Sequence, residues 1–525
     1  MRVLTSKEMA LADEKTINET GIPSLVLMES AGRGVVNVID KKYPEAHSFL
    51  VVAGSGNNGG DALVVARYLY RAGKQVKVIV LAKDETKLSP DNKANLEILK
   101  KLRVEPIFIT EENLHLIEDF LKDSEVVVDG IFGTGFKPPV RGYRAEAIRL
   151  INNYEKPIVA VDIPSGLSTD TGEIEGDFIK ASTTITFAYP KLGHILYPAA
   201  QFCGDVYVVD ISIDDRYVSD IYRFVLQPKD LHLPKREKDS HKYTYGHNLV
   251  IGGSVGKSGA VIMASKASTR AGVGLTTAFV PECINQTIES TLIEEMSIPA
   301  PCEDGLFSEG AANLLEEVVN NGKFSSLTVG MGMSVSDGTI SLIEKVLSLN
   351  LPKVIDADGI NSLVKLENFK ERLKKSPSPI ILTPHIGEFS RLTGISSTEI
   401  KKNPEVFAKE FVKETGVYLV LKFSRTLIVF PDGEVFYSIR GNEGMAKAGT
   451  GDVLAGILGA LINRLPMKEA LKTGVYLHGL CGDLVVEKTG VESLKATDLI
   501  EVIPEAYRWI KEHKDENYSL IKKLQ

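Results

Sequence analysis

Val51-Val-Ala-Gly-Ser-Gly-Asn-Asn-Gly-Gly-Asp61 reads as a strand that enters a glycine-rich turn and leaves it as a helix. The same unit recurs on both sides of it. Short runs rich in Val and Ile, bounded by Gly, Asp or Pro, predict buried parallel strands over 48–53, 75–81, 104–109, 125–132, 157–163, 184–188 and 206–211. Two helices open the chain over 6–20 and 24–42, and helical periodicity falls between most strands, as over 61–72 and 112–121. This βαβ repetition predicts a doubly wound α/β sheet with helices on both faces.

The pattern breaks over 212–245. The stretch Pro228-Lys-Asp-Leu-His-Leu-Pro-Lys-Arg-Glu-Lys-Asp-Ser-His-Lys242 is charged and interrupted by proline, as a domain junction would be. A second α/β series follows, with strands predicted over 248–252, 275–280, 327–329, 353–357, 379–382, 418–422, 426–430 and 435–438. The last three are close together around Pro431-Asp-Gly433, so this sheet is expected to end in antiparallel pairs. From 467 to about 511 the chain reads as helical. The expected organisation is a domain over 1–211, a junction over 212–245 and a second domain over 246–525. A chain of 525 residues is too long for one hydrophobic core.

The net charge of -8 argues against nucleic-acid binding by general electrostatics. None of the four cysteines, Cys203, Cys283, Cys302 and Cys481, stands in a CxxC pair, so neither a zinc knot nor a disulfide framework is expected. No run reaches the roughly 20 apolar residues of a membrane span, and no signal peptide is read at the start. A reducing cytoplasm is the expected location.

Each half carries its own phosphate-type loop. In the second, Gly441-Asn-Glu-Gly-Met-Ala-Lys-Ala-Gly-Thr-Gly-Asp452 runs into the apolar stretch from Val453 to Ile462. Backbone N–H groups in such a turn face an anion, and the helix dipole adds partial positive charge. Asp452 would stand beside that anion, where a carboxylate is poorly placed to bind it. It is well placed to take a proton from a hydroxyl about to be phosphorylated. Further strand ends fall in order: Gly252-Gly-Ser-Val-Gly-Lys-Ser-Gly-Ala260, Val329-Gly-Met-Gly-Met-Ser334, Ile355-Asp-Ala-Asp-Gly-Ile-Asn361, Thr383-Pro-His-Ile-Gly-Glu388 and Lys422-Phe-Ser-Arg-Thr426. Singly, each has a plain alternative: His385 as a helix cap, Lys422 as a solvated edge lysine, Asp356 and Asp358 as turn caps.

In the first half, Asp129 and Asp162 end strands that precede Gly-Ile-Phe-Gly-Thr-Gly and Ile-Pro-Ser165-Gly. Carboxylate, amide and hydroxyl oxygens therefore converge on one sheet edge, a donor set suited to a hard cation, including a monovalent one.

Gly54-Ser-Gly-Asn-Asn-Gly-Gly-Asp61, Asp129-Gly-Ile-Phe-Gly-Thr-Gly135 and Asp162-Ile-Pro-Ser-Gly-Leu167 resemble the epimerase family that acts on hydrated NAD(P)H, over roughly residues 1 to 211. That family has a Rossmann-like fold and binds potassium. The resemblance implies hydrate contacts at Asn57, Asn58, Gly59, Gly60, Asp61, Gly133, Thr134, Gly135, Phe136, Lys137, Pro138, Pro139 and Asp162. It implies K+ ligands at Asn58, Asp129 and Ser165. Asp162 or Asp129 is the candidate for handling the proton. The chain departs from the pattern at Ala62, where glycine is usual.

The ordered set in the second half resembles the ribokinase-like superfamily, and within it the ADP- or ATP-dependent NAD(P)H-hydrate dehydratases, over roughly residues 225 to 510. That resemblance implies hydrate contacts at Ala260, Gly332, His385 and Asp452. It implies nucleotide contacts at Lys422, Phe423, Ser424, Arg425 and Thr426, and along Gly441, Asn442, Glu443, Gly444, Met445, Ala446, Lys447, Ala448, Gly449, Thr450 and Gly451. The chain departs at Phe423, Glu443, Lys447 and Ala448, and Lys447 is expected to add positive charge beside the phosphates. The implied reactants are hydrated NADH and NADPH with ADP as phosphoryl donor, ATP being the alternative. Mg2+ is the implied ion of this half, and assembly as a homo-oligomer is expected. The rival reading is a ribokinase-like vitamin or sugar kinase carrying an N-terminal metabolite-binding module.

Overall fold

The computed structural model describes residues 1–514 and the backbone of Ile521–Leu524. Two compact units emerge, Met1–Arg223 with the strand Ile521–Leu524, and the chain from Phe224 onward.

The first unit is built on one sheet in the order Ile521–Leu524, Asp205–Val209, Thr183–Phe187, Ile158–Val161, Val126–Gly130, Ser48–Ala53, Gln75–Val80, Ile107–Phe108. Every neighbouring pair is parallel. Strand residues alternate between two cores: Val51 and Ala53 join one, Leu50 and Val52 the other. Helices Ser24–Lys42 and Asn57–Arg71 cover the first face. Leu116–Lys122 and Tyr143–Asn153 cover the second. Strand order reverses between Ser48–Ala53 and Val126–Gly130, where Val52 stands opposite Asp129. In a doubly wound sheet the ligand crevice opens at that reversal, beyond the carboxyl ends of the strands.

The second unit holds a ten-stranded sheet in the order Met296–Ala300, Leu275–Pro281, His247–Ile251, Ser326–Val329, Lys353–Ile355, Ile380–Leu382, Tyr418–Leu421, Leu427–Val429, Val435–Tyr437, Arg223–Val225. Pairing is parallel as far as Tyr418–Leu421, then antiparallel through Leu427–Val429 and Val435–Tyr437, as the Pro431-Asp-Gly433 turn predicts. The helix Thr450–Leu461 lies directly on the helix Ser258–Ala271. Any side chain at Gly456 would overlap the Ala264 carbonyl, so that close approach requires glycine. Helices Met467–Thr489 and Ala496–His513 complete this core, with a break over 490–495 in the continuous helical stretch expected there.

Several boundaries differ from expectation. The strand expected over 104–109 shrinks to Ile107–Phe108, because Pro106 has no N–H to give an edge ladder. The edge strand Met296–Ala300 was hidden by Pro299 for the same reason. The stretch 212–245 is not a free junction. Arg223–Val225 forms a strand, Leu226 and Leu231 sink fully into the second core, and the guanidinium groups of Arg236 and Arg464 lie over the Tyr245 ring at 4.3 and 4.4 Å. Those few apolar residues are diluted by charged neighbours and escape a periodicity reading. The chain over 246–525 does not stay in one unit either, since Ile521–Leu524 pairs with Asp205–Val209. Among the described residues no helix is long and apolar enough to cross a membrane.

Candidate active sites

The first unit has a cleft of about 540 Å3 at the strand-order reversal. Ser55 to Asn58 and Asp61 line it from the first βα turn, and Ile131 to Phe136 from the turn after Val126–Gly130. Asp162 lines it from the end of Ile158–Val161. Helix residues Asp13, Ser24, Leu27 and Met28 close the far wall. The Phe132 and Phe136 rings stack with centroids 4.1 Å apart. Gly59 and Gly60 lie beneath rather than in the cleft: a Cβ on Gly59 would run into the Gly54 carbonyl, and one on Gly60 into Met28. Lys137, Pro138 and Pro139 continue past the lining segment without reaching it. The methyl of Ala62 is fully buried against Gly130 and fits without displacing the helix start.

Behind the turns lies a compact oxygen set. Asp129 is fully buried. Its Oδ1 accepts from the Ser165 hydroxyl at 2.6 Å and from Ile131 N–H at 3.2 Å, and its Oδ2 accepts from Ser165 N–H at 2.8 Å. Asn58 Nδ2 donates to the Phe132 carbonyl at 3.0 Å, and Phe132 N–H donates to Ser165 Oγ at 2.8 Å. Asn58, Asp129 and Ser165 are thus gathered around the Phe132 peptide. Burial pushes the Asp129 carboxyl up to about 6, only partly offset by its Ser165 hydrogen bonds.

Asp162 sits in the left-handed region at φ 66, a conformation that costs a non-glycine residue about 1–3 kcal/mol. Its surroundings over-determine it. Its N–H donates to the Ile185 carbonyl at 2.7 Å, its own carbonyl accepts from His194 Nε2 at 2.9 Å, and its Oδ1 accepts from Lys191 Nζ at 2.7 Å and Thr186 Oγ1 at 2.8 Å. Lys191 is fully buried. Burial raises the Asp162 carboxyl, but the Lys191 charge and these hydrogen bonds outweigh it and hold it below the usual range. Asp61 is held well above that range, first by burial and then by the charges of Asp162, Asp13 and Asp91. Of these groups, Lys191, His194, Asp13 and the buried Asn92 were absent from the sequence reading. Asn92 pins the glycine turn by donating to the Gly54 and Gly56 carbonyls at 3.0 and 2.8 Å. No local pattern marks any of them: Asp162, met by Lys191 and His194, and the glycine carbonyls met by Asn92 are 29 to 38 residues away, and Asp13 meets the charges of Lys191 and Asp162 only through the fold.

In the second unit, six parallel strands deliver their carboxyl ends to one edge. Asp356 follows Lys353–Ile355, His385 follows Ile380–Leu382, and Lys422 follows Tyr418–Leu421. His385 and Lys422 are bridged in parallel register, with Lys422 N–H donating to the Pro384 carbonyl at 2.8 Å. Lys422 Nζ pairs with the buried Asp356 Oδ1 at 2.6 Å. A Cβ on Gly451 would lie 3.1 Å from that Nζ and 3.6 Å from Asp356 Oδ2, so the pair sits against the first turn of the helix that carries Asp452. His385 does cap its helix: Nδ1 accepts from Gly387 and Glu388 N–H at 2.9 and 3.2 Å. Burial and the Lys422 charge push the imidazole below its usual range, so it is neutral and keeps Nε2–H to donate. Gly332 and Ala260 are brought together, a Cβ on the first lying 3.0 Å from that of the second.

The loop before Asp452 is anchored from a helix that sequence reasoning passed over. Asp483, a lone acid in an apolar stretch of Met467–Thr489, accepts from Gly441 N–H at 3.1 Å and from Asn442 Nδ2 at 3.3 Å, and faces Arg440 Nη1 at 3.4 Å. That isolation was a usable signal. Thr450 Oγ1 turns back onto the Met445 and Lys447 carbonyls at 3.0 Å each. Gly449 caps the helix at φ 93, where glycine is favoured. The first intrahelical bond is Val453 N–H to the Gly449 carbonyl, so the N–H groups of Thr450, Gly451 and Asp452 stay open toward the loop. Lys447 corrects the expectation that it stands beside phosphates: its Nζ donates to the Glu492 and Leu494 carbonyls, fastening the loop instead. Within Lys422 to Thr426, Arg425 Nη1 donates to the Ile439 carbonyl at 2.6 Å and Ser424 is exposed. Asp452 is half-buried, and its carboxyl is pushed up to about 7, chiefly by burial and then by Asp356, Asp358 and Glu388, against the pull of Lys422.

Two family descriptions match the chain in succession: "YjeF-related protein N-terminus" over residues 24–193 and "NAD(P)H-hydrate dehydratase" over residues 248–505. The bifunctional NAD(P)H-hydrate repair enzyme Nnr of Moorella thermoacetica is 38% identical over 524 residues, covering 98% of each chain. That of Thermofilum pendens is 34% identical over 521 residues, covering 98% of this chain and 97% of its own. The crystal structure of the ADP/ATP-dependent NAD(P)H-hydrate dehydratase from Bacillus subtilis, co-crystallised with ATP and Mg2+, covers 53% of this chain and 94% of its own at 29% identity, with a TM-score of 0.46. With full-length relatives alike over both halves, the chain belongs to the family of bifunctional NAD(P)H-hydrate repair enzymes.

Proposed function

We propose that the first unit interconverts the R and S epimers of hydrated NADH and NADPH, and that the second dehydrates the S epimer at the expense of ADP, with ATP as an alternative donor. The observation that carries this is Asp452: a half-buried carboxylate raised to about 7 at the head of a helix whose first three N–H groups are open. A group with that pKa at that place can take a proton near neutral pH, while the helix end receives the phosphoryl oxygens.

Asp452 accepts the proton of the C6 hydroxyl as that oxygen bonds to the terminal phosphorus of the nucleotide. The nucleotide leaves one phosphate shorter, AMP from ADP or ADP from ATP. Phosphate is a far better leaving group than hydroxide. The C6–O bond then breaks as phosphate departs with its electron pair, the C5 proton passes to solvent, and the C5–H pair becomes the C5=C6 double bond of the dihydronicotinamide. His385, whose Nε2 lies 3.3 Å from Glu388 Oε1, and the Ala260 and Gly332 surface would hold the hydrate. Lys422 and the loop from Gly441 to Gly451 would hold the nucleotide. Among the described residues no group of three or more His, Cys, Asp or Glu is arranged to hold a metal. That fits Mg2+ carried in on the nucleotide phosphates, needing at most one or two protein carboxylates, of which buried Asp356, the charge that acts most on Asp452, is the candidate. When bound, Mg2+ would neutralise charge on the transferred group.

In the first unit, Asp129 is a buried carboxylate with no charged partner among the described residues, surrounded by the Ser165 hydroxyl, the Phe132 carbonyl and the Asn58 amide. One negative charge among neutral oxygens suits K+ rather than a divalent ion. With purified R hydrate as sole substrate and ADP present, NADH should form rapidly in potassium buffer. It should slow to the spontaneous epimerisation rate when the potassium is replaced by lithium or when Asp129 is changed to Ala. The S hydrate should be dehydrated equally well by the wild type and the Asp129→Ala variant. Equal rates from the R hydrate under all conditions would contradict the potassium assignment. A vitamin or sugar kinase is not favoured, because the full-length relatives bear the repair-enzyme name over both halves.

A further inference from the structure

Four carboxylates line the cleft of the first unit, Asp13, Asp61, Asp91 and Asp162, and they are not equivalent. Asp162 is committed to Lys191 and Thr186. Asp61 and Asp13 approach from different helices, Asn57–Arg71 and Ser6–Lys15, and neither side chain accepts a hydrogen bond from the protein among the described residues. Their oxygens are therefore available to a ligand in the cleft. The charged groups facing Asp61 are Asp162, Asp13, Asp91 and Lys191, and those facing Asp13 are Lys191 and Asp162. One lysine faces all of these acids, so their mutual repulsion disfavours full ionisation of the cluster. Burial and its neighbours hold Asp61 well above the usual carboxylate range, whereas burial lifts Asp13 only to about 6. Asp61 and Asp13 reach the same cleft from different helices and hold their protons unequally, so they can serve as acid and base.

We propose that Asp61 is the proton donor and Asp13 the proton acceptor in C6 epimerisation, an assignment that rests on the first unit acting on hydrated NAD(P)H. The Asp61 proton passes to the C6 hydroxyl, and the C6–O bond breaks to release water. The N1 lone pair forms a C6=N1 double bond, leaving the ring cationic. Water adds to the opposite face of C6, the C6=N1 pair returns to N1, and the surplus proton of that water goes to Asp13. Proton return from Asp13 to Asp61 through solvent closes the cycle with no oxidant or reductant. Asp162, held ionised by Lys191, stabilises the cationic ring.

The test is R-to-S exchange in the full-length protein without nucleotide, read by chromatography. Asn at position 61 keeps the shape of the protonated Asp and adds no charge to the cluster, so folding is not at risk. D61N should lose about 100-fold or more in kcat with KM within about threefold, and D13N should lose about 10-fold or more. Either loss should leave dehydration of the S hydrate unchanged. A D61N kcat above about a tenth of wild type, or a loss confined to KM, would overturn the assignment. Wild-type protein that fails to accelerate exchange would remove the reading of the first unit and this assignment with it.

Discussion

Replacing Asp452 by Asn should lower dehydration of the S hydrate by about 10²–10⁴-fold, the usual contribution of a positioned general base, while nucleotide affinity stays within a few-fold. The substitution keeps the side-chain shape at the third position of the helix and leaves the open N–H groups of Thr450 and Gly451 in place. What it removes is the acceptor for the hydroxyl proton. The wild-type rate should also carry the titration of that acceptor. The base must be ionised to work, and its carboxyl is raised to about 7. The rate should therefore be level above pH 7 and fall about tenfold per pH unit below it. Asp356 supplies the largest charge contribution to that shift, so Asp356→Asn should move the break to lower pH. Retained turnover in Asp452→Asn, or a rate indifferent to pH between 5 and 7, would remove Asp452 from the chemistry.

The second large effect is expected in the first unit. Lys191→Met should destabilise the first unit by about 3–5 kcal/mol, the usual cost of removing one partner from a buried ion pair. Lys191 and Asp162 side chains are 1% and 11% exposed and meet at 2.7 Å. Without the lysine, Asp162 remains buried beside Asp61 and Asp13 with no counter-charge. At about 2–4 °C per kcal/mol for a unit of this size, its unfolding transition should fall by roughly 6–20 °C. Epimer exchange should be lost while dehydration of the S hydrate survives. Lys191→Met combined with Asp162→Asn should recover part of the stability, since the orphaned charge is gone. A single variant as stable as wild type would show that the pair does not hold the cleft together.

These two residues mark how far the sequence could be read. Asp452 was legible because a glycine turn, an acid and an apolar helix stand together within 22 residues, and local geometry dictates what such a turn offers an anion. The strands were legible because buried parallel strands are continuous Val and Ile runs, as at Ser48–Ala53, and the helix Ser24–Lys42 falls where its periodicity places it. Lys191 was invisible. In Pro190-Lys-Leu-Gly it looks like any loop lysine, and only the fold buries it against Asp162, 29 residues away. Asp356 with Lys422 and Asp483 with Gly441 are the same kind of pairing, set by which strand ends and helix faces meet. Lys447 failed in the other direction. Its charge was read as bound for phosphate, yet two backbone carbonyls near the end of the loop compete for it and win. The boundary near residue 223 was missed because the apolar run Phe224-Val-Leu226 is only three residues long before Gln227 and Pro228, too short for periodicity to register as a strand.

The account as a whole requires both halves to act on one substrate pool. The most direct measurement supplies chemically hydrated NADH containing both epimers to the full-length protein with ADP, Mg2+ and K+, and follows the absorbance of the reduced nicotinamide together with released phosphate. The account predicts that recovery continues beyond the S share at well above the spontaneous epimerisation rate until the hydrate is exhausted, with one phosphate released per NADH. Recovery that slows to the spontaneous rate once the S share is consumed, or a phosphorylated product that accumulates without NADH, would contradict it.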